Sequence, residues 1–154
     1  MNDKMYYKGD ESAVEINFIE LALIEKLGKV LAYAVRERKY NRYELIEKWL
    51  SSETFYDAVT FDVSLSSQAL TYILSRFEKE YEGNLPSTDE NSPLYEDDLF
   101  WFGYVVAYWF FLDGTTGKEM LQKYDMKHSL DGYDVLHTVS VRTAIEKIKE
   151  DDAL

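Results

Sequence analysis

From Leu99 to Leu112 the chain carries no charge, and eight aromatic residues fall within that run: Phe100, Trp101, Phe102, Tyr104, Tyr108, Trp109, Phe110 and Phe111. A membrane-spanning helix needs roughly 20 apolar residues, whereas a run of about 10–14 is the length of a buried core helix. The flanks agree with the second reading. Glu96, Asp97 and Asp98 precede the run, where acids suit the positive end of a helix dipole, and Asp113-Gly114 closes it, where glycine takes the left-handed turn. A helix over Tyr95–Asp113 that is apolar nearly all round must be covered on every side. The expected fold is therefore an all-α, single-domain bundle of six or seven helices around this aromatic-rich helix.

The rest of the chain supplies the covering. At 154 residues it is long enough to bury a core. From Val14, apolar residues recur at steps of three and four through Ile16, Ile19, Leu23, Leu27, Val30, Leu31, Ala34 and Val35, predicting a first helix to about Arg38. Gly28 inside it costs about 1 kcal/mol relative to alanine and marks a place where another helix comes close. Asn41 with Glu44 opens the next helix, Ser52 caps a short turn, and Val59–Leu65 reads as an extended connector. Ser66 or Ser67 starts a helix through Leu70, Ile73, Leu74, Phe77 and Tyr81. Thr116 with Glu119 opens another, one short turn or helix falls within 126–137, and Ser140 caps the last, with Ala144, Ile145 and Ile148 buried. Residues 1–12 read as a flexible N-terminus, and 13–150 as one helical domain with an acidic loop at 84–98, which holds both prolines of the chain.

Charge narrows the function classes. Residues 1–50 carry nine acids and nine bases, residues 51–100 carry eleven acids against Arg76 and Lys79, and residues 101–154 carry nine acids and six bases, so most of the net −12 sits in the middle third. That balance disfavours direct nucleic-acid binding, which needs a basic patch, and suits either a solvated surface or a face that steers a basic partner. The one basic cluster is Arg36, Arg38, Lys39 and Arg42, at a helix end. There is no cysteine, hence no disulfide framework, and the N-terminus lacks the pattern of a secretory signal, which makes the cytoplasm the expected compartment.

Motifs for chemistry are sparse. No Glu-x-x-His or His-x-x-x-His pair is encoded, so no metal site is expected, and no phosphate loop or nucleophile elbow is present, so neither cofactor nor catalytic residue is assigned. Asp134 and His137 stand three apart, a spacing that reads as a structural hydrogen bond. Tyr104 and Tyr108, one turn apart on the central helix, with Lys118 and His137 near its C-terminal end, make a candidate pocket.

A series of short motifs adds a resemblance. Gly103-Tyr104, Tyr108-Trp109, Gly114, Lys118-Glu119, His137-Thr138 and Ala144-Ile145 follow one another, preceded by a leucine–serine helix end over Leu45–Ser52 and a serine-started helix over Ser66–Glu80. This order resembles a family of small all-α bacterial proteins encoded beside ADP-ribosyltransferase-like toxins. The resemblance implies a toxin–antitoxin or phage-defence locus, with this chain a non-enzymatic antitoxin or accessory protein. Its partner would be a basic-surfaced toxin whose active-site cleft it covers. The residues expected to dock are Asp89, Glu90, Tyr95, Glu96, Asp97 and Asp98, with charge speeding encounter and an aromatic anchor holding the complex. Two rival readings remain: an acidic inhibitor that mimics nucleic acid, and a small-ligand-binding helical protein.

Overall fold

The computed structural model describes residues 15–60, 63–87 and 96–154, and these are helical with no strand among them. Helix α1 (Phe18–Tyr33) is opened by Asn17 and Glu20 in a reciprocal capping box and runs into one π-helical turn, Ala34–Arg38, that ends at Lys39 with φ +55°. Asn41 accepts from the amides of Tyr43 and Glu44 to start α2 (Arg42–Ser51), and Ser52 accepts from Phe55 to start α3 (Glu53–Val59). A single turn, α4 (Val63–Ser66), leads to α5 (Leu70–Glu80). Then come α6 (Glu96–Asp113), α7 (Gly117–Lys123), α8 (Met126–Asp131), the single turn α9 (Tyr133–Leu136) and α10 (Val141–Asp151).

Helix α6 is where the sequence places it, with three acids in its first turn and Gly114 at φ +81° just beyond its end. It packs chiefly along α1 and also meets α3, α8, α9 and α10. Leu99, Phe102, Val105, Val106, Tyr108 and Trp109 are buried, together with Leu27, Leu31, Trp49, Phe55 and Phe77 from the covering helices. Gly28 and Gly103 face each other at the α1–α6 crossing, so the close approach expected at Gly28 is present. Its outer face is less covered than the sequence implied: Phe100, Trp101, Tyr104 and Phe110 are only half-buried. Among the described residues, no helix is long and apolar enough to cross a membrane.

Four expectations are corrected. The connector over Val59–Leu65 is not extended: α3 continues to Val59 and α4 begins at Val63. Neither Ser66 nor Ser67 caps α5, which starts at Leu70 after Ala69 with no side-chain cap. The Lys26 ammonium of α1 donates to the carbonyls of Ser66 (2.8 Å) and Gln68 (2.9 Å), fixing this stretch as the end of α4 and not the start of α5. The chain is also cut more finely than six or seven helices, because Met126–Leu136 makes two short segments and α4 a third. The segment 1–12 and loop residues 88–95 lie outside the described residues. Glu96, Asp97 and Asp98 belong to α6 and not to a loop.

Side chains from distant elements close further parts of the helix framework. The Glu80 carboxylate accepts from the amides of Glu53 and Thr54, both at 2.8 Å, and from the Thr54 hydroxyl, so the end of α5 caps the start of α3. After α10, Asp152 turns back on α8: it is buried and accepts from Ser129 Oγ at 2.8 Å, with His128 Nδ1 2.5 Å away. Backbone bonds Asp125–Asp152 (2.8 Å) and Leu154–Lys123 (2.9 Å) complete the clasp.

Candidate functional site

The basic cluster of the first helix end is met by acids from α5 and α6. Arg36 pairs with Glu37 (2.9 Å) and Glu96 (3.2 Å), Arg38 pairs with Glu78 (3.2 Å), and Arg42 pairs with Asp98. In the Arg42–Asp98 pair the carboxylate is buried and the guanidinium mostly covered, with side-chain exposures of 14% for Arg42 and 9% for Asp98. The Tyr40 hydroxyl also donates to Glu78, and its pKa is pushed up to about 12, first by burial and then by that carboxylate. Much of the acidity of the middle third is therefore spent inside the molecule.

This pairing divides the six residues expected to dock a partner. Asp98 is buried against Arg42, and Glu96 is engaged by Arg36. Asp97, between them, is exposed. Asp89, Glu90 and Tyr95 lie outside the described residues.

Asp97 stands at the rim of an open groove of about 420 Å³ between α6 and the α9–α10 region, walled by Phe100, Trp101, Tyr104, Tyr133 and His137. Trp101 meets Tyr133 edge-on at 5.7 Å, and Tyr133 stacks on His137 at 4.4 Å. His137 Nδ1 lies 2.7 Å from the Tyr133 carbonyl and donates to it, which fixes the imidazole over the phenol. Tyr133 is shared with a smaller cleft of about 220 Å³ where Asp98, Asp131 and Asp134 meet Arg42 and Tyr43. There the Tyr43 hydroxyl donates to Asp131 at 2.5 Å. The pKa of the Tyr133 phenol is raised, first by burial and then by the charges of Asp97 and Asp134. Aromatic faces beside carboxylates form a surface suited to a cationic side chain, which gains from both the ring quadrupole and the charge.

The candidate pocket of Tyr104, Tyr108, Lys118 and His137 is not one place. Tyr104 and His137 line the groove, Tyr108 is buried in the core with its ring stacked on Tyr104 at 6.3 Å, and Lys118 lines a separate cavity. The helix carrying Tyr104 and Tyr108 is long enough that its C-terminal end, where Lys118 follows, is remote from the face that meets α9. Asp134 is not the partner that the spacing implied either, since His137 Nδ1 bonds the Tyr133 carbonyl.

That separate cavity, of about 400 Å³, lies where α2, α3, α6 and α7 meet. Of its lining, sequence reasoning had named only Lys118 as a pocket residue, and it missed Trp101, Tyr133 and Asp131. Trp101 sits in a run that reads as core throughout. The signal for Tyr133 was its spacing of four from His137, which puts both rings on one helical face. No group of three His, Asp or Glu side chains among the described residues is placed to hold a metal ion. Comparison of the chain with known protein families, curated proteins and solved structures finds no match.

Proposed function

We propose that this chain is a non-enzymatic binding protein, the antitoxin or accessory partner of an ADP-ribosyltransferase-like toxin, and that it covers a basic cleft of that toxin. The observation that supports the reading is the groove beside Asp97. Its walls are aromatic, its rim is acidic, and Asp131 and Asp134 extend the negative charge past Tyr133. A lysine or arginine from the cleft that holds the NAD pyrophosphate in such a transferase would seat against Trp101 and Tyr133. Asp97 and Asp134 would steer its approach. Glu96 and Asp98, paired within the fold, position the start of α6 and do not contact the partner.

The test is co-purification of tagged protein from its native host with mass spectrometry, followed by binding kinetics. A stoichiometric basic transferase supports the proposal, and Asp97→Lys with Asp134→Lys then slows association about tenfold or more at low salt. Recovery of nucleic-acid-handling proteins instead replaces the antitoxin reading with that of a nucleic-acid mimic. Association unchanged by the two reversals shows that the groove is not the interface.

A further inference from the structure

The cavity of about 400 Å³ at the junction of α2, α3, α6 and α7 is distinct from the acidic groove and shares no lining residue with it. Its deep side is apolar, formed by Leu50, Phe55, Val59 and Phe110. One wall is held by a backbone contact: a Cβ on Gly117 would lie 2.2 Å from the Leu50 carbonyl oxygen, so the start of α7 rests directly on the end of α2. This contact fixes the start of α7 against α2 at the edge of the cavity.

The polar groups around it sort by whether they are already engaged. Ser52 accepts from the Phe55 amide at 3.0 Å and donates to the Trp49 carbonyl at 2.7 Å. Thr116 is bound up in the capping box with Glu119, and Asp57 is paired with Arg76 at 2.6 Å. Two charged groups remain, the Glu53 carboxylate on α3 and the Lys118 ammonium on α7, and neither makes an ion pair among the described residues. Opposite charges that flank an apolar cavity without meeting each other are complementary to a ligand bearing both signs. A cavity of this size, mostly apolar with a few convergent polar groups, is the usual form of a small-molecule site.

We infer that this cavity binds a free α-amino acid with a large apolar side chain, its carboxylate on Lys118, its ammonium on Glu53 and its side chain among Phe55, Val59 and Phe110. Both charged residues are exposed, so each of their interactions is worth little alone. Recognition requires the zwitterion and the apolar group together. Neither a fatty acid nor an apolar amine satisfies both ends. The site is independent of the toxin-binding groove.

The experiment is titration of the full-length ¹⁵N-labelled protein with phenylalanine, monitored by amide shifts and quantified by calorimetry. Saturable shifts confined to residues 50–59 and 110–118 are expected, with glycine binding about tenfold or more weakly and N-acetylphenylalanine and phenylalaninamide about threefold to fivefold more weakly. Lys118→Ala and Glu53→Gln, both surface changes, should each weaken phenylalanine about threefold to fivefold. Lys118→Ala should also abolish the preference for phenylalanine over phenylalaninamide. Absence of saturable shifts at millimolar phenylalanine and leucine overturns the inference. So does N-acetylphenylalanine binding as well as phenylalanine, which removes Glu53 from the site. Loss of binding here with toxin association intact would leave the preceding proposal standing.

Discussion

A Cβ added to Gly103 would lie 2.9 Å from the Gly28 Cα and 3.1 Å from the Leu27 carbonyl oxygen, so α1 and α6 touch through their backbones. The converse contact is as tight, since a Cβ on Gly28 would meet the Phe100 carbonyl oxygen at 2.8 Å. Backbone atoms cannot rotate away as a side chain can. Gly103→Ala is therefore expected to push the helices apart and cost about 1–3 kcal/mol, despite the gain in helix propensity from losing a glycine. Urea unfolding monitored by circular dichroism measures this, and an unchanged or higher midpoint would show that the crossing relaxes freely.

The Arg42–Asp98 pair makes a second prediction. Asp98→Ala removes the buried carboxylate from a partly covered guanidinium, and a loss of about 1–3 kcal/mol is expected. Asp97→Ala, one residue earlier and exposed, is expected to change stability by less than about 0.5 kcal/mol. Parallel denaturant titrations separate the two adjacent acids. Equal effects would mean that Asp98 is not held as described.

His128 beside Asp152 gives stability a pH dependence of defined sign. The Asp152 carboxylate bonds and attracts the imidazolium, raising the His128 pKa above its ordinary 6.5. A group whose pKa is higher in the folded state contributes stability that is complete below the unfolded value and lost as pH rises through the folded one. The unfolding midpoint should therefore decline from about pH 6.5 upward. In His128→Asn that part of the decline should vanish, as urea titrations across pH would report. NMR titration of the imidazole checks the cause directly, and an ordinary or lowered pKa would remove it.

Glu80 caps α3 from another helix. In Glu80→Ala the amides of Glu53 and Thr54 lose their acceptor, while Ser52 still serves Phe55. A loss of about 1 kcal/mol is expected, with faster hydrogen exchange confined to the first turn of α3. Unaltered exchange at those two amides would show that water replaces the carboxylate without cost.

What was legible in the sequence was what local rules govern. Asn41, Ser52, Thr116 and Ser140 all cap helices, because an acceptor side chain before an apolar periodic run acts within three residues, whereas the first helix, expected from Val14, starts at Phe18 behind an Asn17 cap. The α6 run and the Gly28 approach follow from length and from the absence of a Cβ. The errors come from contacts between distant residues. Ser66 and Ser67 carry the chemistry of caps, yet Lys26, forty residues earlier, takes the Ser66 carbonyl and moves the start of α5 to Leu70. Acids 96–98 look alike in sequence, but Arg36 and Arg42 claim the outer two and leave Asp97. No periodicity encodes which cation faces which acid. For the same reason Tyr104, Lys118 and His137 looked like one site and lie in two.

The glycine crossing also bears on how the chain assembles. Helical proteins commonly fold fast because their contacts are close in sequence. Here the principal helix pair joins residues 103 − 28 = 75 positions apart, with α2 to α5 lying between. Closing a loop of that length costs entropy that grows only logarithmically, but it is lost before the crossing returns any packing. Helix α6 also meets α8, α9 and α10, which follow it closely in the chain, but its principal partner is the distant α1. If this encounter limits the folding rate, slowing it leaves the apolar α6 without its principal cover for longest.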